Sequence, residues 1–174
     1  SVYLFTPTIG ETYPSDGTAE LNVTAELYSV NDVENASVVT TLYDANGEVY
    51  ATTTSDAVAL VANEKLAVAD AVTVEDPLLW SCDTPNMYTA VVELYDGDQL
   101  VDSYETPFGF KWFDVSATEG FSLNGETVLL KGVNLHHDNG LVGTASEPDA
   151  LDRKVKLMKD MGVNAIRTSH NPES

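Results

Sequence analysis

Residues 19–27 read AELNVTAEL, and every odd-numbered position in this stretch is apolar. Side chains alternate between the two faces of a β-strand, so the pattern predicts a strand with one buried face and one face in water. The flanking chain contains more runs rich in β-formers and without a helical period, at residues 38–43, 48–53, 66–74, 89–95 and 99–106. Together these runs predict a mainly β fold.

Turn signals separate the runs at short intervals. The Asn46-Gly47 pair predicts a hairpin with a type I′ turn, because both central residues of that turn need a positive φ. A second hairpin is expected across Gly97, which Asp96 and Asp98 flank. About seven short strands joined in this way are typical of an immunoglobulin-like β-sandwich, which we assign to residues 1–113.

A different pattern follows residue 113. Asn124-Gly125 predicts a short hairpin that leads into VLLKGVN at residues 128–134, a nearly continuous apolar run. Such runs are typical of parallel strands that are covered on both faces.

A helix and a second apolar strand come next. The sequence SEPD at residues 146–149 predicts a helix start, with Ser146 as the cap, and Gly162 is placed to end the helix. Residues 163–168 predict the second strand, so the segment is a βαβ unit with two parallel strands. We assign residues 114–174 to the beginning of an incomplete (β/α)8, or TIM, barrel.

Composition excludes several classes of function. The 174 residues carry 28 acidic and 8 basic side chains, a formal net charge of −20. Nucleic acids and anionic membranes bind basic surfaces, so we expect neither as a partner. No apolar run approaches the ~20 residues of a membrane-spanning helix. The lone Cys82 excludes an intrachain disulfide and cysteine-based metal or redox chemistry.

The charge is unevenly distributed along the chain. Residues 1–113 contain 19 acidic and 2 basic side chains, a net charge of −17. Residues 114–174 contain 9 acidic and 6 basic side chains, a net charge of −3, and all three histidines. This change in composition predicts a domain boundary near residue 113.

Polar side chains follow both predicted parallel strands. His136, His137 and Asp138 come after the first strand, and Arg167, His170 and Asn171 end or follow the second. Both groups therefore lie at the carboxyl ends of neighbouring strands, which form the functional face of a β/α barrel. His136, Asp138 and His170 are metal-ligand types, but no recognisable ligand spacing connects them. We predict no metal site and no cofactor.

The polar residues lie in two distinctive stretches, KGVNLHHD at residues 131–138 and NAIRTSHNP at residues 164–172. Both stretches resemble glycoside hydrolase family 2, and bacterial β-galactosidases in particular. The upstream segments LW at 79–80, DTPNMY at 83–88 and FGFK at 108–111 are similar to the end of the sandwich domain that precedes the catalytic barrel in that family. The resemblance therefore covers most of the chain.

The resemblance implies a role for each polar residue. His136, Asp138 and His170 match positions that contact the non-reducing sugar, and Arg167 matches the arginine that orients the nucleophilic carboxylate. The retaining reaction uses two carboxyl groups ~5–5.5 Å apart. In the family both lie on later barrel strands, so we expect them beyond residue 174 and expect the chain to be an inactive part of a longer enzyme.

Alternatives to a β-galactosidase stay open. One is a β-glucuronidase of the same family, and another is a non-catalytic carbohydrate-binding or cell-surface sandwich, which would have no use for the two barrel motifs. Exposed strand edges predict a homo-oligomer, because unpaired edges invite pairing with another chain. The sequence is compatible with a cytoplasmic or an exported protein.

Overall fold

The computed structural model describes residues 2–4, 8–12, 17–145 and 147–170. Ser146, Asn171 and Pro172, which the sequence analysis singled out, lie outside the described residues. The chain forms two compact units. The first contains residues 1–113 and 123–125, and the second contains residues 114–122 and 126–174.

The first unit confirms the predicted mainly β sandwich. Its described strands are β1 (Val2–Leu4), β2 (Thr8–Thr12), β3 (Thr18–Ser29), β4 (Val33–Tyr43), β5 (Val49–Thr54), β6 (Val58–Leu60), β7 (Lys65–Glu75), β8 (Tyr88–Asp96) and β9 (Gln99–Phe108). In one sheet β3 pairs antiparallel with β1, β2 and β7. The other sheet has the antiparallel order β5-β4-β8-β9, with β6 also paired to β4.

The alternation along β3 produces one half of the core. Its odd-numbered residues from Ala19 to Leu27 are at most 2% exposed. They belong to one cluster with buried side chains of the second sheet, including Val38, Leu42, Val92 and Leu94. Full burial of an aliphatic side chain of this size contributes about 1.5–3 kcal/mol, so this shared core is what holds the two sheets together.

The first Asn-Gly hairpin lies where it was predicted, but its predicted turn type was wrong. Gly47 has a φ of 81°, whereas Asn46 lacks the positive φ that a type I′ turn needs. The Asp44 carboxylate accepts hydrogen bonds from the N–H groups of Asn46 (2.8 Å) and Glu48 (2.9 Å) and so holds a three-residue loop. These contacts, above all that with the Glu48 N–H, hold the pKa of Asp44 below its ordinary value.

The hairpin between β8 and β9 was predicted correctly. Asp96 pairs with Gln99, so the loop consists of two residues, and Gly97 at its first position has a φ of 60°. This is the pattern of a type II′ turn, in which glycine is favoured at that position.

The second Asn-Gly pair, unlike the first, forms a type I′ turn. Asn124 and Gly125 have φ values of 53° and 83°, as a type I′ turn requires. The Trp112 N–H donates to Asn124 Oδ1 (3.1 Å), and Asn124 Nδ2 donates to the carbonyl oxygen of Trp80 (2.9 Å). Asn124 therefore ties together the backbones of both tryptophans in the chain.

Replacing Asn124 by glycine is expected to lower the free energy of unfolding by about 1–3 kcal/mol, because glycine keeps the positive φ but removes both side-chain hydrogen bonds. Chemical denaturation followed by tryptophan fluorescence measures this loss. Asn46→Gly makes the same change in the other Asn-Gly pair and should alter stability by less than about 0.5 kcal/mol. Equal losses in the two variants would contradict the bridging role of Asn124.

The chain after β9 contains the remaining elements. They are β10 (Phe113–Ser116), β11 (Gly120–Leu123), β12 (Glu126–Thr127), β13 (Gly132–Asn134), a 3-10 turn (Gly140–Val142), α1 (Pro148–Asp160) and β14 (Ala165–Arg167). β10, β11 and β12 form a small sheet, and β13 pairs parallel with β14. The predicted βαβ unit is therefore present as β13-α1-β14.

The limits of α1 follow from its sequence. Pro148 occupies the first turn, where a missing N–H costs nothing, and Glu147 precedes it as the N-cap without a side-chain hydrogen bond. At the other end Gly162 has a φ of 85°. The N–H groups of Gly162 and Val163 donate to the carbonyl oxygens of Lys159 (2.9 Å) and Met158 (3.1 Å), which is a Schellman motif.

The extent and burial of the two parallel strands were predicted wrongly. Each strand has three residues, and neither has a fully buried side chain. Leu129 and Leu130, predicted to lie within the first strand, precede it and are 76% and 51% exposed. A strand is covered on both faces only where other elements pack on both sides of its sheet. Within the described residues β13 and β14 form a two-stranded sheet whose side chains are half-buried or exposed.

Candidate functional site

The carboxyl ends of β13 and β14 lie side by side. The two strands are parallel, with Asn134 opposite Arg167. The Leu135 N–H donates to the Arg167 carbonyl oxygen (2.8 Å), and the Leu135 side chain is buried. These contacts fix the start of the loop after β13, so the polar residues that follow both strands emerge at one edge of the sheet.

Two of the four predicted site residues are in direct contact. The imidazole rings of His136 and His170 meet edge to face, with centroids 5.8 Å apart. Ser169 Oγ lies 3.2 Å from His136 Nε2. Ser169 has a φ of 53°, in the left-handed region that L-residues other than Asn and Asp rarely adopt. Ser169 lies in the turn that follows β14, and His170 beside it contacts His136.

Asp138 belongs to the same loop as His136. Its N–H donates to the His136 carbonyl oxygen (2.7 Å), and its Oδ1 accepts a hydrogen bond from the Gly140 N–H (3.1 Å). His136 and Asp138 are exposed, whereas His137 between them is half-buried. The two flanking side chains are therefore open to a ligand from solvent, and His137 is less so.

Arg167, the fourth predicted residue, ends β14 and is exposed. Within the described part of the chain, the structure gives its guanidinium no hydrogen bond or ion pair, and neither the Arg167 nor the Asp138 side chain forms a hydrogen bond with a histidine ring. A guanidinium stays charged at any ordinary pH and presents a planar set of donors that suits a carboxylate.

Lys154 was not singled out in the sequence, yet it holds this loop. Its ammonium group donates to the carbonyl oxygens of His136 (3.2 Å) and Asp138 (2.9 Å) and to Asn139 Oδ1 (3.0 Å). The sequence offers no signal for it, since Lys154 is one of three lysines in the predicted helix.

Asn164 is a second structural residue that sequence reasoning assigned no role. Its Oδ1 accepts a hydrogen bond from the Lys131 N–H (2.7 Å), and its Nδ2 donates to the Leu129 carbonyl oxygen (3.0 Å). It therefore ties the segment before β13 to the segment before β14. A polar residue between Val163 and Ala165, inside an apolar run, was the available signal.

The chemistry of the strand ends is that of hydrogen bonding. Imidazole nitrogen atoms, a carboxylate and a guanidinium are groups that can bind a polyhydroxy ligand. Among the residues that the structure describes, no three side chains of His, Cys, Asp or Glu are grouped so as to hold a metal ion. No helix in those same residues has the length and apolar character needed to cross a membrane.

Comparison with known families accounts for both units of the chain. Residues 3–111 match the model of glycosyl hydrolases family 2. Residues 114–174 match the model of the TIM barrel domain of the same family. The chain belongs to glycosyl hydrolase family 2. The family predicted from the two motifs is therefore confirmed, as is a sandwich followed by the start of a barrel.

Individual relatives carry two kinds of name. The β-galactosidase BoGH2A of Bacteroides ovatus is 39% identical over 155 residues, which cover 88% of this family 2 chain and 18% of the galactosidase. A solved family 2 structure from Bacteroides cellulosilyticus superposes with a TM-score of 0.90 at 34% identity, over 97% of this chain and 23% of that one. For a β-glucuronidase of Bacteroides uniformis the TM-score is 0.86 at 29% identity, over 97% of this chain and 20% of that one.

Coverage of these relatives is strongly one-sided. Nearly the whole of this chain is matched, but it spans only 18% to 23% of the length of the relatives named above. The matched part consists of the sandwich and the beginning of the barrel.

Proposed function

We propose that this chain is the sandwich and the first two barrel strands of a longer retaining β-galactosidase. The observation that supports this most directly is the set of polar residues at the carboxyl ends of β13 and β14. These strands lie within the match to the family's barrel domain. Barrel enzymes bind substrate at that end of their strands. A carbohydrate is the substrate class that the family implies.

Sugar recognition in this proposal falls to His136, Asp138 and His170. A neutral sugar is bound through its hydroxyl groups, each of which donates and accepts hydrogen bonds. The exposed imidazole and carboxylate groups supply both kinds of partner. The contact between the His136 and His170 rings supports the proposal, because it brings residues of two loops to one place.

Arg167 acts on the nucleophile in this proposal. A guanidinium beside a carboxylate favours the ionised form, which is the form that attacks the anomeric carbon. We assign the nucleophile and the acid/base carboxyl group to later strands of the longer protein. The exposed Glu147 stands at the N-cap position of α1 and is assigned neither role.

The 174-residue chain should not hydrolyse nitrophenyl β-galactoside above background, because neither reacting carboxyl group is assigned to it. Enzyme assays at high protein concentration test this directly. Turnover that a substitution within these residues abolishes would contradict the division of the site that we propose.

The longer reading frame separates the alternatives. We expect its product to hydrolyse nitrophenyl β-galactoside. Preference for nitrophenyl β-glucuronide would select the β-glucuronidase alternative, which relatives of that name also support. Galactoside binding without any turnover would instead select a non-catalytic carbohydrate-binding module. Self-association through the strand edges remains a prediction, to be tested by analytical ultracentrifugation.

A further inference from the structure

We propose that Lys154 is a positioning residue, which holds the loop carrying His136 and Asp138 in the conformation that binds the sugar. The inference rests on the proposed function, because it concerns the same site. It is independent of which β-glycoside the enzyme prefers.

The hydrogen bonding of Lys154 is saturated. An ammonium group has three N–H donors and no acceptor. The three acceptors of Lys154 are the carbonyl oxygens of His136 and Asp138 and the side-chain oxygen of Asn139, at 2.9–3.2 Å. All three lie on consecutive or nearly consecutive residues of the loop after β13. One cation on α1 therefore fixes the backbone on both sides of His137.

Neighbouring contacts extend this restraint along the loop. The Asn139 N–H donates to the Gly143 carbonyl oxygen (2.7 Å), and Asn139 Nδ2 donates to the Ala145 carbonyl oxygen (2.8 Å). Asn139 is thus bonded both to Lys154 and to the far end of the loop. Loss of the ammonium group would therefore free two parts of the loop. One is the part that follows β13, and the other is the part near Gly143 and Ala145 that leads back to α1.

Lys156 shows what an ordinary lysine on this helix does. Among the described residues it pairs only with Asp152, one turn away on the same helix, and its side chain is 72% exposed. Lys154, in contrast, is half-buried and bonds to residues 15 to 18 positions away. The two lysines have the same charge, sit on the same helix and differ in what they contact. Lys156 is therefore a matched control.

The experiment compares Lys154→Met and Lys156→Met in the longer enzyme. We expect Lys154→Met to lower kcat/KM by about 10- to 50-fold, since small displacements of binding groups reduce rates strongly. The inhibition constant of free galactose should rise in Lys154→Met as well. Lys156→Met should change both quantities by less than about twofold. Thermal melting checks that both variants fold.

A double-mutant cycle with Asp138→Ala separates positioning from general damage. If Lys154 acts through the loop, the Lys154→Met penalty should shrink at least about threefold when the Asp138 carboxylate is already absent. Equal penalties in the two backgrounds would overturn the inference. Should Lys154→Met fail to fold, Lys154→Arg serves instead. Its planar donors keep the charge but cannot reproduce three tetrahedral bonds, and it should lie between Lys154→Met and the wild type.

The outcomes distinguish the two proposals. A wild-type protein without β-glycosidase activity would refute the proposed function and, with it, this role in sugar binding. An active wild type in which Lys154→Met behaves like Lys156→Met would refute the positioning role alone. The amide NMR signals of residues 136–145 in the 174-residue chain report the conformation of the loop independently of enzyme activity. Lys154→Met should shift them and Lys156→Met should not, and unchanged signals in both variants would also overturn the inference.

Discussion

Replacing Asp138 or His170 by alanine in the longer glycosidase is expected to lower kcat/KM by roughly 10²–10³-fold. Each side chain is assigned a hydrogen bond to the sugar that strengthens as the ring flattens toward an oxocarbenium ion, so its loss should affect kcat as well as KM. Steady-state kinetics with a nitrophenyl glycoside measure the two constants separately.

Arg167→Ala should cost at least as much, because the guanidinium is assigned to the charge state and orientation of the nucleophile. His137→Ala is the natural control, since it changes the same residue type one position from His136. Its side chain is half-buried rather than exposed, and we expect a smaller effect, mainly on packing. A severe His137→Ala variant beside silent His136→Ala and His170→Ala variants would show that the sugar lies on the other side of the loop.

Gly109→Ala is expected to destabilise the sandwich strongly, with a loss of about 3 kcal/mol in the free energy of unfolding. A Cβ at this position would lie 2.7 Å from Trp80 Cβ and 2.9 Å from the Asn86 carbonyl oxygen. Neither atom can move cheaply. The Trp80 N–H donates to the Phe110 carbonyl oxygen (2.8 Å), and Asn86 Nδ2 donates to the Leu79 carbonyl oxygen (2.8 Å).

The residues beside Gly109 cannot move away either. Phe108 and Phe110 are at most 9% exposed, and each ring lies within 6.1 Å of the Tyr88 ring, measured between centroids. The Tyr88 hydroxyl in turn accepts a hydrogen bond from the Leu78 N–H (2.9 Å), and burial raises the pKa of this phenol. Glycine is therefore required in the FGFK segment because the surrounding core leaves no space for a Cβ.

Gly47→Ala controls for the substitution itself. Gly47 has open space around it but a φ of 81°, so its alanine variant should lose only the roughly 1–2 kcal/mol of left-handed strain. Thermal melting should place Gly109→Ala about 10 °C or more below the wild type, with Gly47→Ala between them. If Gly109→Ala melted at or above Gly47→Ala, the close approach to Trp80 would not be a constraint on the fold.

Local patterns predicted the sandwich well, because its determinants are local. Alternation along β3 coincides with burial at every odd position from Ala19 to Leu27. Turn type was less predictable. Asn46-Gly47 and Asn124-Gly125 are identical dipeptides, but only the first has an aspartate, Asp44, whose carboxylate captures the loop amides. A side chain close to the dipeptide but outside it, the Asp44 carboxylate, therefore decides which type of turn forms.

The barrel segment was predictable in order but not in burial. The succession of strand, helix and strand can be derived from the sequence, and so can the end of α1 at Gly162. Burial of Leu129 and Leu130 depends on what packs against them, which a single segment does not contain. The same applies to Lys154, since its acceptors are backbone and side-chain oxygens 15 to 18 residues away and helix periodicity carries no information about them.

The strands β13 and β14 are largely exposed, and the chain that carries them has a net charge of −20. This charge affects how the chain associates with a second copy in solution. Pairing two such chains edge to edge brings like charges together. Repulsion extends about 30 Å at 0.01 M salt and only about 8 Å at 0.15 M. Self-association should therefore strengthen as salt is added, the reverse of what an interface built on ion pairs would do. Ionic strength would then set the protein concentration at which the strand edges begin to pair.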